Sequence, residues 1–286
     1  MKVECRIYNA FSNEEGKGNP AGVIFDADKL TESQMQLIAK ELGYNESVFV
    51  CNSSVADVRL RYFTPGGEVP MCGHATIAAV FSLSTKDAIS DKVKVGTLSG
   101  VLDITVTNDD EVRIGMTQNV YEEIPFDGDV GELAQSMRLT PDNLEKSLPI
   151  VYGYTGLWTV LVPIKKLSSF EKMKPNNKLF SSVLTHNPRA SLHPFCLETY
   201  DDKCQMHGRH FSPAFAGTIE DPVTGTASGV MGAYYKKHIQ PDVKSIRVEQ
   251  GNEIGRTGHV DVAISDDFLV TIYGTAGYEK TRIVDV

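Results

Sequence analysis

The sequence of 286 residues has no apolar run long enough to form a membrane-spanning helix, which needs about 18 consecutive apolar residues. Its N-terminal stretch MKVECRIYNAF alternates in polarity like a strand and has no apolar core of the kind found in signal peptides. The five cysteines are an odd number and form no C-x-x-C pair. We therefore expect reduced thiols in a cytoplasmic protein that has no membrane partner.

Positive charge is also scarce in this sequence. There are 28 Lys and Arg residues against 37 Asp and Glu residues, which gives a formal net charge of −9. No basic cluster interrupts this balance, so a nucleic-acid partner is not expected. A Walker loop, a nucleophile elbow and an H-E-x-x-H motif do not occur either. We therefore expect no cofactor and no metal, and an anionic substrate would be bound mainly by backbone dipoles.

Periodicity predicts several strands and a few helices. The segment TESQMQLIAKELG has the pattern of an amphipathic helix, in which Thr31 and Gln34 stand at capping-box spacing and Gly43 can end the helix. Glu46, in GYNES, follows at a turn from helix to strand. Residues 121–148 are polar, acidic and interrupted by proline, so they are expected to connect two halves of the chain.

A duplicated motif occurs in the two halves of the chain. The segments RYFTPGGEVPMCGHATIAAV (61–80) and RHFSPAFAGTIEDPVTGTASGVMGAY (209–234) both read R-x-F-[TS]-P, a short loop, and then E-x-P-x-[CT]-G-x-A-[ST]. The second copy has four more residues in its loop. This repeat predicts a duplicated unit, each copy having a strand, a loop and a buried helix that begins at a glycine.

The two predicted helix starts, at Gly73 and Gly225, are candidate anion sites. A helix N-terminus has unpaired N–H groups and a partial positive charge, and it binds carboxylates well. Glycine lets a ligand approach the backbone closely. Two such starts facing one cleft would bind an anion without a basic side chain. The alternative is that small residues merely let each helix pack tightly inside a sheet.

Three side chains near these motifs are candidates for proton transfer. Glu46 is an acid at a turn, and Asp221 comes shortly before the second helix start. His74 lies on the first turn of an apolar helix, where the charged imidazolium is disfavoured. The alternatives are a solvated Glu46, an Asp221 that only caps N–H groups, and a packed His74. With no metal or nucleotide motif, acid–base chemistry is the natural candidate.

A possible zinc site is indicated by the spacing C-x-x-H-x-x-H at Cys204, His207 and His210. If the segment is a strand, Cys204 and His207 point to opposite faces. Cys204 and His210 would share a face but lie about 20 Å apart. Tetrahedral coordination by these residues is therefore not expected.

Four motifs together resemble one known family. GNPAGV, ELGYNESVFV, RYFTPGGEVPMCGHAT and EDPVTGTASG are similar in order and spacing to the PhzF-like family of phenazine biosynthesis, within the diaminopimelate-epimerase-like superfamily. The resemblance implies an α+β fold of two pseudo-symmetric lobes, each a curved mixed sheet wrapped around a central buried helix. It also implies an active site between the lobes and a homodimer. We place the lobes at residues 1–120 and 121–286, and the last strand could return to the first lobe.

The resemblance also implies an activity and the residues that perform it. The best-known family reaction is the isomerisation of trans-2,3-dihydro-3-hydroxyanthranilate by a proton shift, without cofactor or metal. The family's general acid/base glutamate falls on Glu46, its supporting histidine on His74 and its aspartate on Asp221. Backbone amides around Gly73 and Gly225 are expected to bind the carboxylate of a small anionic substrate.

Two expected substrate contacts depart from the family pattern. Thr226 stands where the family has serine, and Asn45 stands where the family often has serine or threonine. These changes leave open an epimerase or racemase of a small amino or hydroxy acid, and a non-catalytic protein that binds small carboxylates. Racemases of the superfamily use two opposed thiols. Cys72 occupies the first of these positions, but Thr224 occupies the second, which disfavours a two-thiol mechanism.

Overall fold

The chain folds into two compact units in a computed structural model that describes residues 1–85, 89–108, 110–216 and 218–286. The first unit contains Met1–Thr117 together with Tyr273–Val286, and the second contains Gln118–Ile272. No helix in the described ranges is long and apolar enough to cross a membrane.

Both units contain more strand than helix. The strands are β1 (Lys2–Ala10), β2 (Asn19–Ile24), β3 (Glu46–Cys51), β4 (Val58–Thr64), β5 (Gly67–Val69), β6 (Lys92–Thr97), β7 (Gly100–Asn108), β8 (Val112–Val120), β9 (Glu122–Pro125), β10 (Val151–Tyr154), β11 (Trp158–Pro163), β12 (Ser191–Cys196), β13 (Met206–Gly208), β14 (His210–Phe211), β15 (Glu220–Asp221), β16 (Ser245–Gln250), β17 (Gly258–Ile264), β18 (Leu269–Gly274) and β19 (Ala276–Asp285). The helices are α1 (Glu32–Leu42), α2 (Gly73–Ser84), α3 (Val130–Ser136), α4 (Phe180–Val183) and α5 (Gly225–His238).

The first unit is a mixed sheet. Strand β1 pairs antiparallel with β19 and with β2, and β2 pairs parallel with β3. Strand β3 pairs antiparallel with β4, β4 pairs parallel with β6, and β6 pairs antiparallel with β7. Each parallel pair needs a crossover connection. Helix α1 lies within the first crossover and α2 lies within the second.

The second unit repeats this order of pairings. Strand β10 pairs antiparallel with β11, β11 parallel with β12, and β12 antiparallel with β13. Strand β13 then pairs parallel with β16, and β16 pairs antiparallel with β17. Helix α5 lies within the crossover from β13 to β16, as α2 does between β4 and β6. The α+β class and the duplicated unit that the repeated motif predicted are therefore confirmed.

Helix α1 forms as its sequence pattern predicts. The Thr31 hydroxyl accepts a hydrogen bond from the Gln34 N–H, and the Gln34 side chain accepts one from the Thr31 N–H at 2.9 Å. Gly43 ends the helix in the left-handed region, with φ 70°. These local contacts satisfy both ends of the helix.

Helices α2 and α5 are central and buried in their units. In α5 the small residues have a packing role, because a Cβ at Gly229 would lie 2.3 Å from Gln118 Oε1 and one at Gly232 would lie 2.5 Å from Val262 Cγ1. Real Cβ atoms do not approach other atoms so closely. Tight packing therefore explains these two glycines of the later turns of α5, although it does not explain Gly73, at which α2 begins.

Residues 121–148 are not a simple connection, and that prediction is wrong. Strand β9 pairs with β10, and α3 contributes Leu133 and Ala134 to a hydrophobic core that also contains Met137 and Phe170. Only a few apolar positions in this polar segment are buried, so its composition concealed its contribution to the core of the second unit.

Candidate active site

The starts of α2 and α5 have no side-chain cap from their N-cap residues. Cys72 precedes α2 and Thr224 precedes α5, and neither side chain makes a capping hydrogen bond with the described part of its helix. Helix α1, by contrast, is capped by Thr31. The N-cap side chains therefore leave the first N–H groups of α2 and α5 able to bind an anion.

Gly73, the first residue of α2, is not required by packing. A Cβ built at this position would meet no described atom within 4 Å, and its φ is not positive. The methyl group of an alanine would therefore fit both the backbone and the surrounding space. This favours a role for Gly73 in admitting a ligand to the helix start.

Glu46 and His74 lie together in the first unit. Glu46 is the first residue of β3, and His74 is the second residue of α2. His74 Nε2 lies 3.4 Å from Glu46 Oε2, and the two side chains are 8% and 22% exposed. Nε2 makes no hydrogen bond of good geometry with the described residues, so this contact is electrostatic. The half-buried Glu46 is shielded but still open to a ligand.

Cys72 completes a row of three polar side chains. Its Sγ lies 3.4 Å from His74 Nδ1, so the imidazole stands between a thiol and a carboxylate. Cys72 is buried, and it contacts His74 as well. The ligating atoms of Cys72, His74 and Glu46 all lie within 4.8 Å of one another, so this group could also bind a cation.

Asp221 lies in a hydrogen-bonded cluster at the start of α5. The Thr224 hydroxyl donates to Asp221 Oδ2 at 2.5 Å. The side chain of Gln250 donates to the Asp221 carbonyl at 2.7 Å and accepts from the Thr224 N–H at 3.2 Å. This cluster fixes both the carboxylate and the loop before Gly225. Gln250 was not found from the sequence, since it is brought to the loop only by β16.

The other predicted substrate contacts lie beside these groups. In the first unit, Asn45 is half-buried and directly precedes Glu46. In the second unit, Thr226 is half-buried in the first turn of α5, and its carbonyl accepts a hydrogen bond from the Thr155 hydroxyl at 3.2 Å. Each unit therefore brings together the predicted residues that it contains.

Two arginine–glutamate pairs explain part of the repeated motif. Arg61 makes two hydrogen bonds of 2.7 Å to the two carboxylate oxygens of Glu68. Arg209 makes the corresponding bonds to Glu220, at 2.8 and 2.6 Å. Such bidentate pairs are strong and geometrically specific. They join the strand of each unit to the segment that leads into its helix, a structural role that the repeat could have indicated.

The histidines of the C-x-x-H-x-x-H segment lie in separate environments. His207 Nδ1 and Nε2 lie 3.0 and 3.1 Å from the carboxylates of Glu249 and Glu253. Burial alone would lower the pKa of His207, but these two carboxylates raise it above its ordinary value. His210 Nδ1 instead lies 3.1 Å from Nδ1 of His193, and burial lowers the pKa of both rings. This agrees with the expectation that Cys204, His207 and His210 do not share a zinc ion.

Comparison with known proteins places the sequence among one group of enzymes. Residues 8–282 match the family model PhzC-PhzF, described as phenazine biosynthesis-like protein. The chain is 44% identical over 291 residues to "Uncharacterized isomerase YfhB" of Bacillus subtilis, covering 100% of this chain and 99% of the relative.

A solved structure and a more distant relative agree with this match. The crystal structure of the Bacillus anthracis phenazine biosynthesis protein, PhzF family, has a TM-score of 0.97 and 47% identity, with 100% of both chains covered. The trans-2,3-dihydro-3-hydroxyanthranilate isomerase of Pseudomonas chlororaphis is 28% identical over 256 residues, covering 87% of this chain and 86% of that protein.

Proposed function

This chain belongs to the PhzC-PhzF family of phenazine biosynthesis-like proteins and is an isomerase, and on that premise we propose that it moves a proton within a small cyclic or unsaturated carboxylate without a cofactor. The observation that carries the proposal is the half-buried Glu46, which lies 3.4 Å from His74 and whose neighbouring helix starts at the unobstructed Gly73.

Glu46 is the proposed general base and then the general acid. Its carboxylate removes a proton from a carbon next to a double bond. The electron pair of that C–H bond forms a new double bond, and the π pair of the old double bond moves to the far carbon. The protonated Glu46 then delivers its proton to that carbon, so that the double bond has moved and Glu46 is ionised again. Positioned proton transfer of this kind contributes about 10²–10⁴-fold to a rate.

His74 and Cys72 are proposed to position Glu46. His74 Nδ1 lies 3.4 Å from the Cys72 sulfur and its Nε2 lies 3.4 Å from Glu46 Oε2, so the imidazole is held between the two side chains. Contact with the buried imidazole restricts the positions that the Glu46 carboxylate can take.

The start of α2 is proposed to bind the substrate's carboxylate. Its first N–H groups have no cap from Cys72, and Gly73 adds no side chain in front of them. We extend this role to Gly225 in α5, and we propose that Asn45, Asp221 and Thr226 orient polar groups of the substrate. A helix N-terminus attracts an anion through its dipole as well as its hydrogen bonds.

The glycine at the start of α2 gives a direct test of carboxylate binding. We expect Gly73→Val to raise the Kd for a small carboxylate at least about tenfold, because the loss of a hydrogen bond to a charged group costs about 1.5–3 kcal/mol. Since a Cβ at this position meets no described atom, the fold should be unchanged. Calorimetric titration measures the affinity, and Gly225→Val tests the second helix start in the same way.

A matched control for these variants is Gly16→Val. Gly16 also has open space around it, although its φ of 71° makes the change locally strained. It lies outside the proposed site, so the Kd should stay as in the parent chain. Unchanged binding in Gly73→Val would contradict the role of the α2 start.

The activity itself is tested by hydrogen exchange with solvent. The purified chain is incubated with trans-2,3-dihydro-3-hydroxyanthranilate in D₂O, and the ring protons are followed by NMR. We expect an isomerised product with deuterium at a ring carbon, as the relative from Pseudomonas chlororaphis suggests by its name. Binding without exchange would favour the non-catalytic alternative, and exchange at one carbon without movement of the double bond would favour an epimerase.

A two-thiol racemase is a weaker alternative. Thr224, which stands where a second thiol would be needed, donates its hydroxyl hydrogen to Asp221.

The proposal also includes a homodimer and a shared reaction for Glu46 and Asp221. Light scattering tests the dimer. If Glu46 and Asp221 serve one reaction, the variant carrying both Glu46→Gln and Asp221→Asn should lose little more activity than the worse single variant.

A further inference from the structure

Three metal-ligating side chains meet in the second unit, and none of them belongs to the candidate active site. Asp201 and Cys204 lie in the turn between β12 and β13, and His259 is the second residue of β17. The carboxylate, thiol and imidazole atoms that could bind a metal all lie within 4.8 Å of one another. The sequence did not indicate this group, because His259 is more than fifty positions from the other two.

The separations are close to those that a tetrahedral ion requires. Zinc binds nitrogen, oxygen and sulfur ligands at about 2.0–2.3 Å, so two ligands at a tetrahedral angle lie about 3.3–3.8 Å apart. Asp201 Oδ2 and His259 Nε2 lie 3.5 Å apart. The sulfur of Cys204 lies within 4.8 Å of both atoms.

His259 Nε2 needs a partner that the described residues do not supply. The side chain as a whole is 37% exposed, but the Nε2 atom itself is buried and makes no hydrogen bond within the described ranges. Its 3.5 Å contact with Asp201 is within range for charge attraction but lacks hydrogen-bond geometry. A buried nitrogen lone pair or N–H without a partner is costly, and a metal ion would satisfy the lone pair.

A buried acid, Glu249, fixes the turn that carries Asp201 and Cys204. Glu249, which is fully buried, accepts hydrogen bonds from the N–H groups of Tyr200 and Asp201 at 2.7 and 2.9 Å. Asp201 Oδ1 accepts from the Lys203 N–H at 3.0 Å, so that Oδ2 is left facing His259. Groups that orient the ligands in this way are typical of metal sites.

From this arrangement we propose that Asp201, Cys204 and His259 bind a divalent transition-metal ion of the zinc class, with water in the fourth position. The mixed set of oxygen, sulfur and nitrogen ligands suits Zn²⁺ or Co²⁺ better than Mg²⁺ or Ca²⁺, which prefer oxygen. The ion would join the turn after β12 to β17. The alternative is an exposed Asp201–His259 ion pair beside an unrelated thiol, a kind of pair that contributes little to stability.

The test is a titration of the full chain with Co²⁺ after treatment with a chelator. Co²⁺ bound to a thiolate gives a near-ultraviolet charge-transfer band, which reports sulfur ligation directly. All titrations use the Cys72→Ala chain, so that the group around His74 cannot supply a thiolate. We expect one equivalent of Co²⁺ to produce the band and Zn²⁺ to displace it. A melting temperature that rises with Zn²⁺ gives a second readout.

Three further variants decide between the proposal and its alternative. In the Cys72→Ala chain, Cys204→Ala should abolish the band, and His259→Gln and Asp201→Asn should weaken Co²⁺ binding at least about 100-fold. Cys196→Ala is the matched control, since Cys196 is another buried thiol of the same unit, and the band should remain. Circular dichroism checks the fold. No band in the Cys72→Ala chain at millimolar Co²⁺, or a band that survives both Cys204→Ala and His259→Gln, would overturn the proposal.

Discussion

Glu46→Gln should lower kcat by at least about 100-fold, and by as much as about 10⁴-fold, with any substrate that the parent chain isomerises. The amide of glutamine has nearly the same shape as the carboxylate, but it cannot remove a proton from carbon. Because Glu46 is half-buried at the first position of β3, the change should leave the strand in place. The rate is measured as deuterium entering the substrate, and KM should change much less than kcat.

The matched control for this prediction is Glu41→Gln. Glu41 is an exposed acid on α1, so the same loss of charge should leave kcat as in the parent chain. Urea unfolding of both variants separates loss of activity from loss of stability. A Glu46→Gln rate close to that of the parent would show that another group moves the proton.

Arg209→Met should lower the free energy of unfolding by about 3–5 kcal/mol. Arg209 is 6% exposed, and the side chain of its bidentate partner Glu220 is 10% exposed. Without the guanidinium, Glu220 would be a buried carboxylate without its counter-charge. The carbonyl of Phe170 would also lose its 2.8 Å hydrogen bond from Arg209. The change is measured by urea unfolding.

The first unit supplies the control for this prediction. Arg61 makes the same bidentate contact with Glu68, but the two side chains are 16% and 18% exposed, so water can partly replace the partner. Arg61→Met should therefore cost less than Arg209→Met. The variant that combines Arg209→Met with Glu220→Leu should recover part of the loss, since no unpaired charge remains. A cost for Arg209→Met below about 1 kcal/mol, as for a surface pair, would contradict the assignment.

The features that the sequence predicted well depend on short-range spacing. The capping box of α1 involves residues three positions apart, and each buried helix follows its glycine directly. Because the motif occurs twice, the same elements were predicted for both units, since two copies of one pattern are expected to fold alike. The order of strand pairings in the second unit followed the first accordingly.

The features that were missed depend on which strands become neighbours. Gln250 reaches Asp221 across 29 positions, and His259 reaches Asp201 only because β16 and β17 form a hairpin behind the turn. The role of residues 121–148 was misjudged because the segment is polar overall and only a few of its side chains are buried. The choice of neighbouring strands determines such contacts, and a local pattern indicates which face of a strand is buried but not which strand lies beside it.

The candidate site was partly predictable for the same reasons. The proximity of Glu46 and His74 was expected from the resemblance, and the 3.4 Å contact places them together. The contact of Cys72 with His74 was not anticipated, because a thiol two positions before a histidine is usually only a packing residue. The catalytic roles and substrate contacts of the site residues stay predictions, and these residues are Glu46, His74, Asp221, Asn45, Gly73, Gly225 and Thr226.

The pairing of β1 with β19 sets an order on folding during synthesis. The first unit needs both ends of the chain, since Lys2 pairs with Asp285 and Ala10 pairs with Ala276. The second unit is one continuous segment and can complete its sheet first. Until β19 leaves the ribosome, β1 has an open edge of unpaired backbone groups, and such edges invite pairing with other chains. In a nascent chain, the edge of β1 that β19 covers in the folded protein therefore stays exposed until β19 has been made.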